Sequence, residues 1–147
     1  MANPRLITGP RDGIGYRAET FKADGSTIVF DATAANGSAV AGRAVSHVVG
    51  TQDAVELSAA GQAILGRLDH VEGDGSVVVQ TEGECKLPQG DAVDVVRGDR
   101  IVGALGPASA RGYIGPAAGT SGTTALAGRH RVEDDAVSTA ISVYLGA

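Results

Sequence analysis

The sequence predicts an all-β fold: a small antiparallel barrel or sandwich with an irregular N-terminal arm and a long Gly/Ala-rich loop. Three observations carry that prediction. Short apolar runs rich in Val recur along the chain, as in Val55-Glu56-Leu57, Val77-Val78-Val79 and Val93-Asp94-Val95-Val96, and β-branched residues suit a pleated, half-buried surface. Turn residues separate those runs about every 8–12 positions, the rhythm of strands joined by tight connections. Gly supplies 22 of the 147 residues with no collagen-like period, which provides the backbone freedom that many turns require.

A chain of this length suits one domain. At about 150 residues roughly 70% of the unfolded surface is buried on folding, so a core forms without covalent staples. Aromatic residues are 3% and Trp is absent, so that core is built from Val, Leu, Ile and Ala. Residues 1–39 are expected to form the arm and first strands, and 40–147 the β domain, with the long loop at 104–131.

Taken in order, residues 1–15 carry Pro4, Gly9, Pro10, Gly13 and Gly15, poor material for helix or strand. They read as an arm over a surface or a disordered tail, with Arg5 and Arg11 available for polar contacts. Tyr16–Phe21 suits a short strand or a helical turn. Asp24-Gly25 turns the chain into a strand at Thr27–Phe30. Asn36-Gly37 is a hairpin signal, since both residues tolerate positive φ. Val40, Ala44-Val45 and Val48-Val49 form the next strand region, and Thr51–Asp53 a turn. Between Asp53 and Leu68 the Ala spacing permits a helix, but Gly61, Gly66 and the β-rich flanks favour two strands. Gly73–Ser76 turns into Val77–Gln80. Glu82-Gly83 separates that run from Cys85–Leu87. Pro88–Asp91 turns into Ala92–Val96, and Gly98-Asp99 into Arg100–Val102. Gly103–Arg131 breaks the rhythm with Gly, Ala, Ser and Thr; a loop of that length is functional or disordered as a rule. Tyr113, Ile114 and Leu126 are its spaced anchors. Ala136–Leu145 alternates and reads as a terminal strand returning to the sheet.

The net charge of −5 argues against a sequence-independent grip on nucleic acid, which needs clustered cations. No apolar run approaches the ~18 residues of a membrane-spanning helix. The N-terminus lacks the apolar core of a signal peptide, so synthesis and folding in a cytoplasm are expected. The 10 Arg against 2 Lys fit bidentate contacts at an interface or the codon usage of a GC-rich genome.

Chemistry-bearing patterns are sparse. Cys85 is the one cysteine, so no intrachain disulfide forms, and it reads as a buried strand residue. Gly13-Ile14-Gly15-Tyr16-Arg17-Ala18 matches G-x-G-x-x-A, but that fingerprint needs a preceding strand and a following helix, and Gly9-Pro10 intervenes. Gly119–Gly122 fits neither a phosphate loop nor a nucleophile elbow. Asn36-Gly37-Ser38 matches a glycosylation acceptor, a pattern without weight in the absence of a secretion signal. His47, His70 and His130 have no metal-ligand spacing, and Asp91, Asp94 and Asp99 lack the calcium-loop pattern. No cofactor, metal or catalytic residue is expected, and a small hydrolase finds no supporting constellation.

From Val55 to Leu87 the chain resembles the capsid decoration (head cement) proteins of tailed bacteriophages. The resemblance lies in the order Val55-Glu56-Leu57, Gly61, Ile64-Leu65-Gly66-Arg67-Leu68, the Gly73-Asp74-Gly75 turn, Val77-Val78-Val79-Gln80-Thr81-Glu82-Gly83, Leu87-Pro88 and Gly90-Asp91. Gly98–Val102 and Ile141–Leu145 are similar in turn, so residues 40–103 and 136–147 are covered. The resemblance implies a non-enzymatic β domain on the exterior of the virion. It implies a homotrimer at local three-fold positions that clamps neighbouring subunits of the major capsid protein. The N-terminal arm and the 104–131 loop are the expected interaction elements. Arg5, Arg11, Arg111, Tyr113, Arg129 and Arg131 are the candidate capsid or subunit contacts, by position and residue type. The alternative is a β-barrel binding module of a tail or adhesion assembly that recognises a carbohydrate or a protein; the scarcity of aromatic rings counts against sugar.

Overall fold

Val55 and Leu57 point one way from their strand and Glu56 the other, and this alternation sets up a closed sheet. In a computed structural model, which describes residues 15–51, 53–91, 95–96, 99–117, 130–132 and 140–146, five strands close into a barrel. They are β1 (Arg17–Ala23), β2 (Ala44–His47), β3 (Ala54–Leu57), β4 (Gly66–Val71) and β5 (Ser76–Pro88). The order is β1-β3-β2-β4-β5, and β5 pairs back onto β1. Four of these pairings are antiparallel. The fifth, β1 with β3, is parallel, so the barrel is mixed where the sequence predicted an antiparallel one. Closure leaves the barrel strands without free edges along the paired lengths.

The remaining strands extend the outer half of β5. β9 (Ala140–Leu145) pairs antiparallel with Gly83–Pro88 of β5, and β8 (His130–Val132) pairs with β9. β6 (Ile101–Ala104) and β7 (Tyr113–Pro116) form a separate two-stranded sheet. Among the described residues there is no α-helix, and the all-β class is the one expected. β7 falls inside the segment read from sequence as loop. Its run Tyr113-Ile114-Gly115-Pro116 is too short to stand out among Gly and Ala, and it becomes a strand because Ile101–Ala104 offers a pairing edge.

Two clusters form the core. The barrel encloses Ile28, Val45, Val55, Leu57, Leu68, Val71, Val77 and Val79. The second gathers Ala44, Ile64, Cys85, Leu87, Val95, Ile101, Ile114, Ile141, Val143 and Leu145 between the β5–β9 sheet and the β6–β7 hairpin. β5 supplies both, since Val77 and Val79 serve the barrel while Cys85 and Leu87 serve the second cluster. The two runs separated in the sequence by Glu82-Gly83 are thus one 13-residue strand. Gly83, at φ 99°, lets the strand bend rather than end. β2 divides in the same way, with Ala44 and Val45 on opposite faces.

The pattern of β4 departs from strict alternation, with Gly66, Leu68 and Val71 buried. A bulge between Leu68 and His70 absorbs the extra residue, so Leu68 and Val71 both face inward and Asp69 faces out. Asn36 and Gly37 have positive φ, as a type I′ turn requires. Their turn lies in a loop, however, and links no two strands.

Thr27–Phe30 is not the strand that its composition predicts. Asp24 holds it as a loop: its carboxylate accepts from Ser26 Oγ at 2.6 Å, Thr27 N at 2.8 Å and Ile28 N at 3.0 Å. Thr27 Oγ1 accepts from Leu57 N at 2.9 Å, and Ile28 is carried into the barrel core. Local side-chain acceptors have here outcompeted a sheet ladder. Burial of Asp24 opposes its ionisation, but the Ser26, Thr27 and Ile28 hydrogen bonds outweigh this and hold its carboxyl below the usual aspartate value of 3.8. A carboxylate with a depressed folded pKa contributes stability that is complete above the unfolded value and lost as pH falls through the folded one. Asp24→Ala is expected to cost about 1–3 kcal/mol by stranding part-buried amides. It is also expected to flatten the acid limb of stability below about pH 4, read as urea midpoints against pH. An acid limb of unchanged steepness in the variant would contradict this role.

Candidate functional site

Arg111 and Tyr113, named as contacts from sequence, come together on one surface. Arg111 lies in the β6–β7 connection just before β7, and Tyr113 is the first residue of β7. The structure adds Arg43, immediately before β2, and Glu56, the outward residue of β3. The Arg111 guanidinium meets Glu56, Nη1 to Oε2 at 3.2 Å. Gln62 Nε2 donates to Glu56 Oε1 at 3.0 Å, and Gln62 Oε1 accepts from Ala59 N at 2.6 Å. Arg43 lies over the Tyr113 ring, 5.2 Å from its centroid, and its Nη1 donates to the Arg111 carbonyl at 3.2 Å.

Two glycines make room for this arrangement. A Cβ at Gly112 would sit 2.8 Å from the Arg43 Cβ, and one at Gly106 would sit 2.5 Å from the Tyr113 ring. Gly112 also has φ 87°, a left-handed conformation that L side chains resist. The Gly content of the segment is therefore used here for close approach as well as for turning.

A second polar group lies where the chain enters β1. Tyr16 Oη donates to Asp69 Oδ2 at 2.9 Å, and Arg67 Nη1 meets Asp69 Oδ1 at 2.8 Å. Desolvation, then the hydrogen bond and negative charge of Asp69, push the Tyr16 hydroxyl above its ordinary value, against a smaller lowering by Arg67. Arg17 bridges Glu19 at 3.1 Å and Glu82 at 3.2 Å. These exposed pairs add little stability.

The other expected contacts are not brought into this picture. Arg5, Arg11 and Arg129 lie outside the described residues. Arg131 sits in β8, paired by backbone to Tyr144. Arg17-Ala18 of the G-x-G-x-x-A match belongs to strand β1, where a dinucleotide site needs a helix. Cys85 is buried in β5, as a strand cysteine. His47 packs edge-on to Phe21 at 5.6 Å, and His70 meets Glu72 at 3.1 Å. Among the described residues no three His, Cys, Asp or Glu side chains are placed to hold a metal ion. What the Arg43–Tyr113–Arg111–Glu56 group offers chemically is recognition: a guanidinium held in one plane with donors to spare.

Sequence reasoning missed Arg43, Glu56 and Gln62. The alternation of Val55-Glu56-Leu57 put Glu56 on the outer face, but nothing in the sequence joins it to Arg111, 55 positions away. No protein-family model and no curated protein matches this chain.

Proposed function

We propose that this chain is a structural virion protein that binds the outside of an assembled phage capsid and stabilises it by bridging major capsid subunits. On this reading it acts as a homotrimer, carries no cofactor and does no chemistry. One observation supports it above the rest. Four of the segments that resemble decoration proteins share one hydrogen-bonded sheet: Val55–Leu57 lies in β3, Gly66-Arg67-Leu68 opens β4, Val77–Leu87 lies in β5, and Ile141–Leu145 lies in β9 beside it, while Ile101-Val102 opens β6 of the smaller sheet. A resemblance scattered over 90 positions thereby corresponds to a contiguous scaffold. A domain that binds only the assembled lattice stabilises that lattice by mass action, and many copies amplify a modest contact.

The experiment is to mix the purified chain with heads that lack it and to measure co-sedimentation and copy number. Saturable binding at the stoichiometry of local three-fold sites is the expected result. A failure to bind mature or expanded heads would transfer the reading to a tail or ligand-binding module. Deletion of residues 1–15 is expected to lower head occupancy while leaving the urea midpoint of the domain near that of the full chain. Unchanged occupancy would remove the arm from the interface.

A further inference from the structure

We propose that Arg43, set on Tyr113 beside Arg111, is a receiving site for a carboxylate side chain of a partner protein. The proposal names the contact group within the capsid-binding reading and rests on that reading for where the partner lies, not for the ligand chemistry. Sequence position pointed to Arg111, but the structure turns Arg111 inward. Its Nη1 is matched to the Glu56 carboxylate, and its Nε is buried without a hydrogen-bond partner. Arg111 therefore organises the surface and has little charge left to offer outward.

Arg43 is the opposite case. Arg17 faces Glu19 and Glu82, Arg67 faces Asp69 and Arg111 faces Glu56, whereas Arg43 has no carboxylate partner among the described residues. Its position is nonetheless fixed. The Tyr113 ring covers one face of the guanidinium, Nη1 is held by the Arg111 carbonyl, and Gly112 lets its stem lie against the turn. Nε and Nη2 make no hydrogen bond to a described residue, and the side chain is half-buried. Those two donors form one edge of the planar fork, the edge that takes a carboxylate in the bidentate manner. Immobilisation by ring and carbonyl lowers the entropic cost of that contact.

Charge points the same way. The group holds two guanidinium ions against one carboxylate, on a chain whose net charge is −5. A locally cationic spot on an acidic surface steers an acidic group to one place and disfavours nonspecific approach elsewhere. A phosphate would accept the same fork, but a net charge of −5 argues against a grip on nucleic acid. Two sources of the carboxylate share this chemistry: an Asp or Glu of the capsid lattice, or one on a second copy of this chain.

The test has a peptide arm and two protein arms. Side-chain guanidinium NMR of the full chain is recorded while a capped tri-glutamate peptide is added at low salt, with a capped tri-lysine peptide as control. The expected result is a saturable shift of the Arg43 Nε–H with the acidic peptide alone, reversed by salt. No Arg43 shift overturns the proposal whatever the heads do. Arg43→Gln is then compared with the full chain in head binding and in sedimentation velocity. A loss of about tenfold in head affinity, as expected for removal of a charge-assisted pair, supports the site and assigns the carboxylate to the lattice. A comparable loss in self-association alone supports it and assigns the carboxylate to a second copy. A peptide response with neither loss overturns the partner role. Arg43→Lys, which keeps the charge but not the fork, is expected to restore affinity in part. A purely structural Arg43 would instead lower the thermal midpoint in both variants and show no peptide-dependent shift in the unaltered chain. Should the unaltered chain fail to bind heads, the capsid reading falls, while the peptide and self-association arms still decide this site.

Discussion

Gly66→Ala is expected to cost more than about 3 kcal/mol and to leave little folded barrel in moderate urea. Gly66 opens β4 at the point where that strand is squeezed between β2 and β5. It pairs with Val45 on one side. On the other, a Cβ would run into the Gln80 carbonyl oxygen and meet Val79 Cγ1 at 2.9 Å. The obstacle is backbone, which cannot rotate aside as a side chain can, and it belongs to the strand that carries both core clusters. Gly66 does not occupy the left-handed region, so the penalty comes from space and not from conformation. Gly75 supplies the contrast: it has φ 86° with nothing within 4 Å of an added Cβ. Gly75→Ala is expected to cost only about 1–2 kcal/mol, the conformational term alone. Urea denaturation of the two variants separates the two costs. A Gly66→Ala midpoint equal to or above that of Gly75→Ala would mean that β4 and β5 do not approach this closely.

Leu68→Ala is the second large effect, expected at about 2–5 kcal/mol. Leu68 is fully buried in the barrel among Val45, Val55, Val71, Val77 and Val79. Those neighbours are β-branched and fixed in χ1, and they sit on strands tied into a closed ring. The cavity left by truncation therefore has little means to collapse, which puts the cost toward the upper part of that range. Leu65, only partly buried against the same cluster, is expected to lose clearly less on truncation. Leu87→Ala probes the second cluster with the same chemistry. Because β5 runs unbroken through both clusters, Leu68→Ala and Leu87→Ala are expected to lower one shared unfolding transition. Two transitions that respond separately would show that the barrel and the β5–β9 layer fold as independent units.

The candidate surface was legible only in part. Arg111 and Tyr113 stood out as an Arg and an aromatic ring in a segment of small residues, and the fold does bring them to one place. Their roles were not readable. Whether a guanidinium faces outward or is neutralised depends on the carboxylate it meets, and Glu56 reaches Arg111 only because Gly112 hydrogen-bonds to Ala44 and Ser58 and so docks the β6–β7 connection on the barrel. Arg43 carried no signal of its own, since one Arg before a short strand looks like any other surface cation.

The sequence by itself determined the all-β class, the turn at Asn36-Gly37, the two strands between Asp53 and Leu68 and the buried place of Cys85. Each follows from interactions spanning a few residues: alternation of apolar side chains, backbone freedom at Gly and Asn, and the scarcity of strong helix signals. Only the tertiary structure decided that β1 runs parallel to β3, that β5 continues through Gly83, that Thr27–Phe30 is a loop and that Tyr113–Pro116 is a strand. Those outcomes rest on contacts between residues far apart in the chain. A strand needs a pairing edge, a loop needs its amides satisfied, and a glycine's cost depends on which backbone lies beside it. None of these partners is written in the local run of residues that uses them.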